Sequence, residues 1–409
     1  MRSYRGAVLV WVLSLILGVS CRYVLREGPE QVFEQARRFA ATNRFAEAET
    51  SLRRLLARQP NRTDARLLLG KLAHDRNDWA TVVAAFQGVA DTDPMAGSIR
   101  VAEGDAWLKL NRAVLAEDRW VRAYHMSPEY PQPRLRLIYL YGLQLRREPW
   151  AKLLWELYDR DQAGLREMIQ LMIAGHVVWE SEEATQDVRR FAEADGADFH
   201  SRRAVGVYLL LAGQIPEAIR ELESILQSNH NDAETWLALV ECHLARADNE
   251  SARKCLDQMS EPTQADYRFW KHRGSLAVLE LRLDDSVSEF AKALAKAPFD
   301  RELHQKMSQS LRLVGDFDAA GHHAVIAEKL AKIHRLCHSV HHQRSISLSD
   351  ILQLVQLCEA LGLIEESLGW TKLGLKLAKS DAGFVAAQDR LLALPATSAR
   401  HPPLGEDRL

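Results

Sequence analysis

The organisation of this chain is clearest in residues 97–130, which read GSIRVAEGDAWLKLNRAVLAEDRWVRAYHMSPEY. Apolar side chains recur every three or four residues in each half of this stretch, which predicts two amphipathic helices. Small residues at Gly104 and Ala116 would let these two helices approach each other closely. Pro128 cannot continue a helix, so it marks the end of the unit.

The same pattern recurs along the chain with a 34-residue period. Nine windows of this length begin at residue 29 and run without insertion to residue 334. Two slots in the second half of each window are apolar in all nine windows, which chance would produce with a probability on the order of 10⁻⁶. These slots hold Leu52, Leu55, Phe86, Val89, Trp120, Ala123, Leu154, Leu157, Val188, Phe191, Leu222, Ile225, Leu256, Met259, Phe290, Ala293, Ala324 and Ala327.

This repeat resembles the tetratricopeptide repeat (TPR) family, in which Gly, Ala, aromatic residues and Pro stand at fixed offsets. The resemblance implies an all-α fold, a TPR-like α-solenoid in which antiparallel helix pairs form a right-handed superhelix. The fourth and fifth windows match poorly, and we expect irregular packing there. The third window matches the pattern well through Gly104, Trp107, Ala116, Trp120 and Pro128. The eighth window matches well through Trp270, Gly274, Phe290, Ala293 and Pro298. The fourth and fifth windows hold the larger residues Ile138, Trp150 and Met172 where the pattern has small ones.

The repeats divide the chain into five predicted parts. Residues 1–28 are a signal peptide or membrane anchor, and residues 29–334 are the nine TPR-like helix pairs. A His-rich connection follows at 335–347, a capping helix pair at 348–381, and a C-terminal extension with a disordered tail at 382–409.

Composition narrows the possible functions. Apolar residues make up 47% and charged residues 26% of the 409 residues, which is typical of a folded chain. The net charge of −2 gives no reason to expect nucleic acid as a partner. The chain contains no phosphate-binding loop, no Gly-x-Ser-x-Gly and no His-Glu-x-x-His motif, so we expect a binding protein rather than an enzyme.

The N-terminus predicts export or membrane attachment. Arg2 and Arg5 precede an apolar run of about 14 residues, as in a secretory signal. Three outcomes stay open, namely an uncleaved anchor spanning residues 7–25, lipidation of Cys21 as in a bacterial lipoprotein, and clean cleavage. In each case the positive end stays in the cytoplasm, so we expect the body on the extracytoplasmic side, membrane-anchored or exported to the periplasm or cell envelope.

The resemblance also implies a concave groove that binds a partner protein. The groove-facing slots of the middle windows are mostly apolar, whereas Asp64, Lys71, Glu234, Glu241 and Lys271 place charges on either side. Such a groove suits an apolar or amphipathic segment, unless the irregular fourth and fifth units bury these residues against each other. The predicted contacts are Val101, Leu135, Tyr139, Ile169, Ile173, Val207 and Leu210.

A cluster of histidines near the end of the repeats is a second candidate site. On a continuous helix, the histidines of 334–342 would share one face with spacing that can converge on a zinc or copper ion. The alternative is a solvated helix end, where histidine is common. No cofactor is expected apart from a metal at this cluster, whose candidate ligands are His334, Cys337, His338, His341 and His342.

The remaining cysteines are expected to be apolar filler. Cys242 and Cys255 fall on the two helices of one unit, and Cys337 and Cys358 flank the connection, so either pair could be oxidised outside the cytoplasm.

Taken together, these patterns predict a non-enzymatic protein–protein interaction scaffold, tethered to a membrane or exported. A metal- or haem-handling accessory factor using the histidine cluster is the first alternative. A helper of envelope polymer assembly or export is the second, and it rests on analogy alone.

Overall fold

The computed structural model describes residues 28–173, 182–260, 263–343 and 345–394. These residues form twenty-one α-helices and one short 3₁₀ turn, and they contain no strand. The all-α fold class is therefore confirmed. The chain divides into two compact units after Tyr130.

The first unit consists of three helix hairpins. Each helix packs on the next one along the chain, both within a hairpin and from one hairpin to the following one. This is the nearest-neighbour stacking of a repeat protein. The helices are α1 (Pro29–Ala41), α2 (Phe45–Arg58), α3 (Thr63–His74), α4 (Trp79–Phe86), α5 (Ala96–Lys109) and α6 (Ala113–Met126).

The second unit holds the other fifteen helices. They are α7 (Gln132–Leu143), α8 (Arg147–Asp159), α9 (Leu165–Ile173), α10 (Glu182–Ala194), α11 (Phe199–Leu211), α12 (Ile215–Ser228), α13 (Ala233–Ala245), α14 (Asn249–Gln258), α15 (Tyr267–Leu279), α16 (Leu283–Lys296), α17 (Arg301–Val314), α18 (Phe317–Gln343), α19 (Leu348–Glu359), α20 (Ile364–Leu377) and α21 (Ala382–Leu392). From α11 to α18 they again stack as hairpins in chain order.

The 34-residue period is visible in the backbone of the turns. In eight helix pairs one turn residue has a positive φ, between 55° and 90°, and these residues recur at multiples of 34 positions. Asparagine and glycine tolerate this left-handed conformation best, and they hold five of the eight positions. The residues are Asn43, Asn77, Asn111, Leu145, Gly213, Ala247, Leu281 and Gly315.

In the regular hairpins, a small residue on the first helix faces a large side chain on the second helix. The indole of Trp120 fills the space beside Gly104, and a Cβ atom at Gly104 would come within 2.5 Å of Trp120 Nε1. Phe290 lies against Gly274 in the same way. Both large side chains are at most 1% exposed. The close approach of paired helices therefore depends on the small slots that recur in the sequence.

Helix α9 departs from the regular stacking. It packs on α8 and also on α18 and α20, which come much later in the chain, whereas α10 packs on α7 and α11. Tyr158 on α8 donates a hydrogen bond from its hydroxyl to the Glu365 carbonyl oxygen over 2.7 Å. Gly369 on α20 makes this approach possible, because a Cβ atom there would come within 2.5 Å of Met168 Cε.

The C-terminal part also differs in detail from the sequence-based division. Helix α18 is 27 residues long and continues to Gln343, through most of the segment expected to be a connection. Helices α19 and α20 occupy the residues of the predicted capping pair, whose capping role stays a prediction, and a further helix, α21, follows them.

The predicted signal or anchor, including the lipidation candidate Cys21, lies outside the described residues, as does the predicted tail from residue 395. Among the helices that the structure describes, none combines the length and the apolar character that crossing a bilayer requires.

Candidate functional site

The second unit contains an open cavity of about 590 Å³ between α13, α15 and α17. These are the first helices of three successive hairpins, so the cavity lies on the face that such helices share. Its lining combines acidic, basic, polar and apolar side chains, namely Glu241, Leu244, Lys271, His272, Ser275, Val278, Leu279, Phe290, Glu302, Lys306, Gln309, Ser310 and Leu313.

The repeat explains why these side chains meet. Glu241, Ser275 and Gln309 follow each other at intervals of one period and occupy the same slot of three consecutive windows. Leu244 and Val278 share another slot, three positions further along each helix. Residues three or four positions apart lie on one face of a helix, so stacking equivalent helices aligns these slots into one wall.

A lysine–glutamate network crosses the cavity. Lys271 Nζ on α15 lies 3.1 Å from Glu302 Oε2 on α17, and Lys306 Nζ lies 3.5 Å from Glu302 Oε1. Burial opposes ionisation of Glu302, but the two lysines outweigh it and lower the pKa of this carboxyl. Glu302 is therefore ionised at neutral pH and ties two neighbouring repeats together.

Glu241 is a second anionic group of the cavity. Burial opposes its ionisation, but His272, Lys271 and Arg147 outweigh it and lower its pKa to about 2. His272 Nε2 lies 3.4 Å from Glu241 Oε1, and burial lowers the pKa of His272 despite this neighbour. No lysine or arginine among the described residues lies within 4 Å of the Glu241 carboxylate, whose side chain is 45% exposed.

Buried ion pairs fix the helices behind this surface. Arg268 on α15 donates two hydrogen bonds to the two carboxylate oxygens of Glu234 on α13, over 2.8 and 2.6 Å, and also binds Asp266. Arg203 on α11 similarly donates to Asp232, the N-cap of α13. The Arg268–Glu234 pair is bidentate, a geometry that fixes the orientation of α15 relative to α13.

The seven predicted groove contacts lie elsewhere. The structure buries Val101 on α5, and it buries Ile169 and Ile173 on α9. Leu135, Tyr139, Val207 and Leu210 are half-buried, and the Tyr139 hydroxyl donates to Asp187 Oδ2 on α10 over 3.3 Å. None of the seven lines the cavity, and their role in binding a partner stays a prediction.

The histidine cluster lies on α18. The rings of His334 and His338 are 4.3 Å apart between centroids, and Cys337 is fully buried, which raises the pKa of its thiol. The side chains of His341 and His342 lie outside the part that the structure describes. No group of three or more potential ligands is arranged around one point among the described side chains, and metal binding here stays a prediction.

The structure also contains a second histidine pair, which the sequence did not indicate. His304 Nδ1 on α17 lies 2.8 Å from His323 Nδ1 on α18, while His304 Nε2 lies 2.8 Å from the Pro298 carbonyl oxygen. If Nε2 donates to that carbonyl, His304 Nδ1 accepts the hydrogen bond from His323. The two histidines stand on different helices, on either side of a turn, so their approach gave no periodic signal.

The four described cysteines are free and buried. Burial raises the pKa of Cys242 to about 12 and that of Cys255 to about 11. The pKa of Cys358 is raised as well, mainly by burial. These thiols are therefore protonated and unreactive at neutral pH, in agreement with a role as apolar filler.

Comparison with known families now identifies the repeats. Two family models described as tetratricopeptide repeat match residues 33–81 and 209–274. These two segments of the chain are tetratricopeptide repeats. Such repeats indicate a protein–protein interaction scaffold, and proteins built from them are generally scaffolds rather than enzymes.

No curated protein matches the chain. Similar solved structures include pilF of Pseudomonas aeruginosa, with a TM-score of 0.35, 14% identity, and coverage of 55% of this chain and 97% of that one. A tetratricopeptide repeat protein from Parabacteroides merdae has a TM-score of 0.31 and 12% identity, covering 69% and 98%. MamA from Desulfovibrio magneticus RS-1 has a TM-score of 0.32 and 18% identity, covering 41% and 93%. At these scores the likenesses carry no argument about function.

Proposed function

We propose that the chain is a scaffold that binds an extended or helical segment of a partner protein in the cavity between α13, α15 and α17. The observation that carries this proposal is the cavity itself, which is open, about 590 Å³ in volume and lined by equivalent slots of three repeats. A partner segment running across three stacked helices would contact the same slots in turn, which is how solenoids use extended surfaces.

The lining offers complementary contacts for such a segment. Leu244 and Val278 provide an apolar wall for side chains of the partner, and burial of apolar area supplies most of the binding free energy. The exposed amide of Gln309 is able to donate to and accept from the partner backbone. The carboxylates of Glu241 and Glu302 would set the orientation through charge.

A peptide selection tests the proposal. A phage-displayed library of random dodecapeptides is selected on the immobilised full chain, and the enriched peptides are synthesised and titrated by fluorescence anisotropy. The variant Gln309→Trp places an indole in the cavity. Because Gln309 is exposed, we expect the variant to keep its fold. We expect affinity to fall at least about tenfold, because the bulky ring displaces the peptide.

The matched control is Gln356→Trp, which places the same ring on an exposed position of α19, outside the cavity lining. This control should bind the peptides like the parent chain. Equal affinity of the parent and Gln309→Trp chains, or failure of any peptide to be enriched, would contradict the proposal.

We also propose that the scaffold works at or beyond a membrane, reached through residues 7–25. The support is the basic start followed by an apolar run in the sequence. A C-terminally tagged chain should fractionate with the membrane or the extracytoplasmic fraction and be accessible to protease from that side. Retention in the soluble cytoplasmic fraction would contradict this, and Cys21→Ser would release the chain only if Cys21 is lipidated.

A further inference from the structure

Four large apolar side chains are exposed at one edge of the cavity. Leu279 and Leu313, the equivalent slots at the ends of α15 and α17, are 58% and 60% exposed and also line the cavity. Leu281, in the turn after α15, and Phe317, the first residue of α18, are 83% and 72% exposed. Equivalent turns of stacked repeats lie side by side, so these four residues form one surface, called the leucine edge below.

The backbone conformation of Leu281 is a second, independent observation on this surface. Its φ is +61°, a conformation that costs a residue with a Cβ atom energy and that Asn or Gly occupies in five of the eight equivalent turns. Leu145 has the same conformation, but it is buried and so gains apolar contacts. At Leu281 the backbone conformation disfavours leucine, and the solvent-exposed side chain gains no apolar contacts that would compensate. Residues with strained backbone conformations cluster at functional positions.

Acidic side chains surround the leucine edge. Asp284, Asp316 and Asp318 are exposed, and no lysine or arginine among the described residues pairs with Asp284 or Asp318. Arg282 is already engaged by Glu280 and Asp285. Arg312, beside Leu313, is exposed as well, but the three aspartates outnumber it, so the surface has an excess of negative charge.

We infer that the leucine edge extends the binding site and receives a partner-protein segment that carries Leu-sized apolar side chains next to Lys or Arg. The inference rests on the proposed function, because Leu279 and Leu313 belong to both surfaces. The acidic surroundings disfavour an anionic membrane. They also disfavour a second copy of the chain, since two-fold pairing would bring acidic residues together.

The test uses Leu281→Asn in the full chain together with the peptides selected above. Asparagine suits the backbone, so thermal unfolding should shift upward by about 2 °C. Affinity for the selected peptides should nevertheless fall about tenfold, because a buried leucine contact is lost. The peptides should be enriched in Leu, Ile or Phe and in Lys or Arg.

Ala247→Asn is the matched control, since it relaxes the same backbone conformation one repeat earlier without removing a large side chain. It should leave peptide affinity unchanged. A lowered unfolding temperature for Leu281→Asn would show that Leu281 supports the fold and would overturn the inference. Unchanged affinity in Leu281→Asn would also overturn it, while loss in Gln309→Trp alone would leave the proposed cavity function standing.

Two further outcomes name other occupants and would overturn the inference. Enrichment of acidic peptides would show that the charge argument is wrong. Self-association of the parent chain in sedimentation velocity, abolished by Leu281→Asn, would assign the leucine edge to a second copy.

Discussion

Two regions of the second unit use the same repeat in opposite ways. In residues 131–173, here the filled region, the inward slots carry apolar side chains, and those on α9, Ile169 and Ile173, are buried where α9 packs against α8, α18 and α20. In residues 233–314, here the open region, the equivalent slots carry Glu241, Lys271, Ser275 and Gln309, and a cavity remains.

The difference has a simple physical cause. An apolar inward slot gains free energy from any neighbour that covers it, and the nearest neighbour is the chain itself. A charged or polar slot loses its hydration when covered and gains nothing unless it is paired. Apolar slots therefore tend to be closed by the fold, whereas polar slots keep a concave face accessible to a partner.

The largest difference between the two regions is expected when a carboxylate is placed at the same repeat slot in each of them. Ile173→Asp would bury an unpaired charge in the filled region, where Ile173 is 5% exposed, and should destabilise the fold by about 3–5 kcal/mol. Gln309→Asp, at an exposed position of the open region, should change the free energy of unfolding by less than about 1 kcal/mol. Denaturant unfolding monitored by circular dichroism measures both, and equal effects would mean that the two regions do not differ.

The packing of α20 on the filled region can be tested at Gly369. Gly369→Ala would push a methyl group to within 2.5 Å of Met168 Cε and 2.8 Å of Tyr158 Cε2, and should cost about 1–3 kcal/mol. Gly321→Ala on α18 is the matched control, because no atom lies within 4 Å of the added Cβ. There we expect stabilisation of about 0.5–1 kcal/mol. A neutral Gly369→Ala would show that α20 does not pack tightly here.

The contrast also explains what the sequence could predict. Local spacing was sufficient for the helix pairs, for the small slots opposite Trp120 and Phe290, and for the turns that recur with the same period. The oversized residues at Ile138, Trp150 and Met172 indicated irregular packing in the right place. They did not indicate where α9 goes, because its partners lie in α18 and α20 and no periodic pattern encodes so distant a contact.

The candidate site was only partly visible for a related reason. The slot pattern predicted Glu241 and Lys271 on the groove side, but it predicted the binding surface in the apolar middle windows. Reading each slot alone could not show that Ile169 and Ile173 are buried by the chain's own helices. The positive φ of Leu281 likewise follows from its turn slot, whereas its exposure depends on how the neighbouring repeats stack.

As the pH decreases, we expect the open region to lose stability at a higher pH than the filled region. Burial lowers the pKa of His272 and His304 in the open region, whereas residues 131–173 contain no histidine. The folded state therefore binds fewer protons than the unfolded state below about pH 6.5, so stability is complete above that pH and falls as the pH decreases. Hydrogen-exchange protection of α15 and α17 should fall up to about tenfold between pH 7.5 and pH 5. In His272→Gln/His304→Gln this loss should shrink, and an unchanged loss would assign it to other groups.

The smallest expected effect concerns the two lysines that share Glu302. Lys271 is buried to 11% side-chain exposure, so Lys271→Met should cost about 1 kcal/mol by removing its charged hydrogen bond. Lys306 is 32% exposed on the cavity side, and Lys306→Met should cost less than about 0.5 kcal/mol, because water screens the pair. If both variants unfold alike in denaturant, the lysines serve the fold equally. If only Lys271 matters, Lys306 has little structural role.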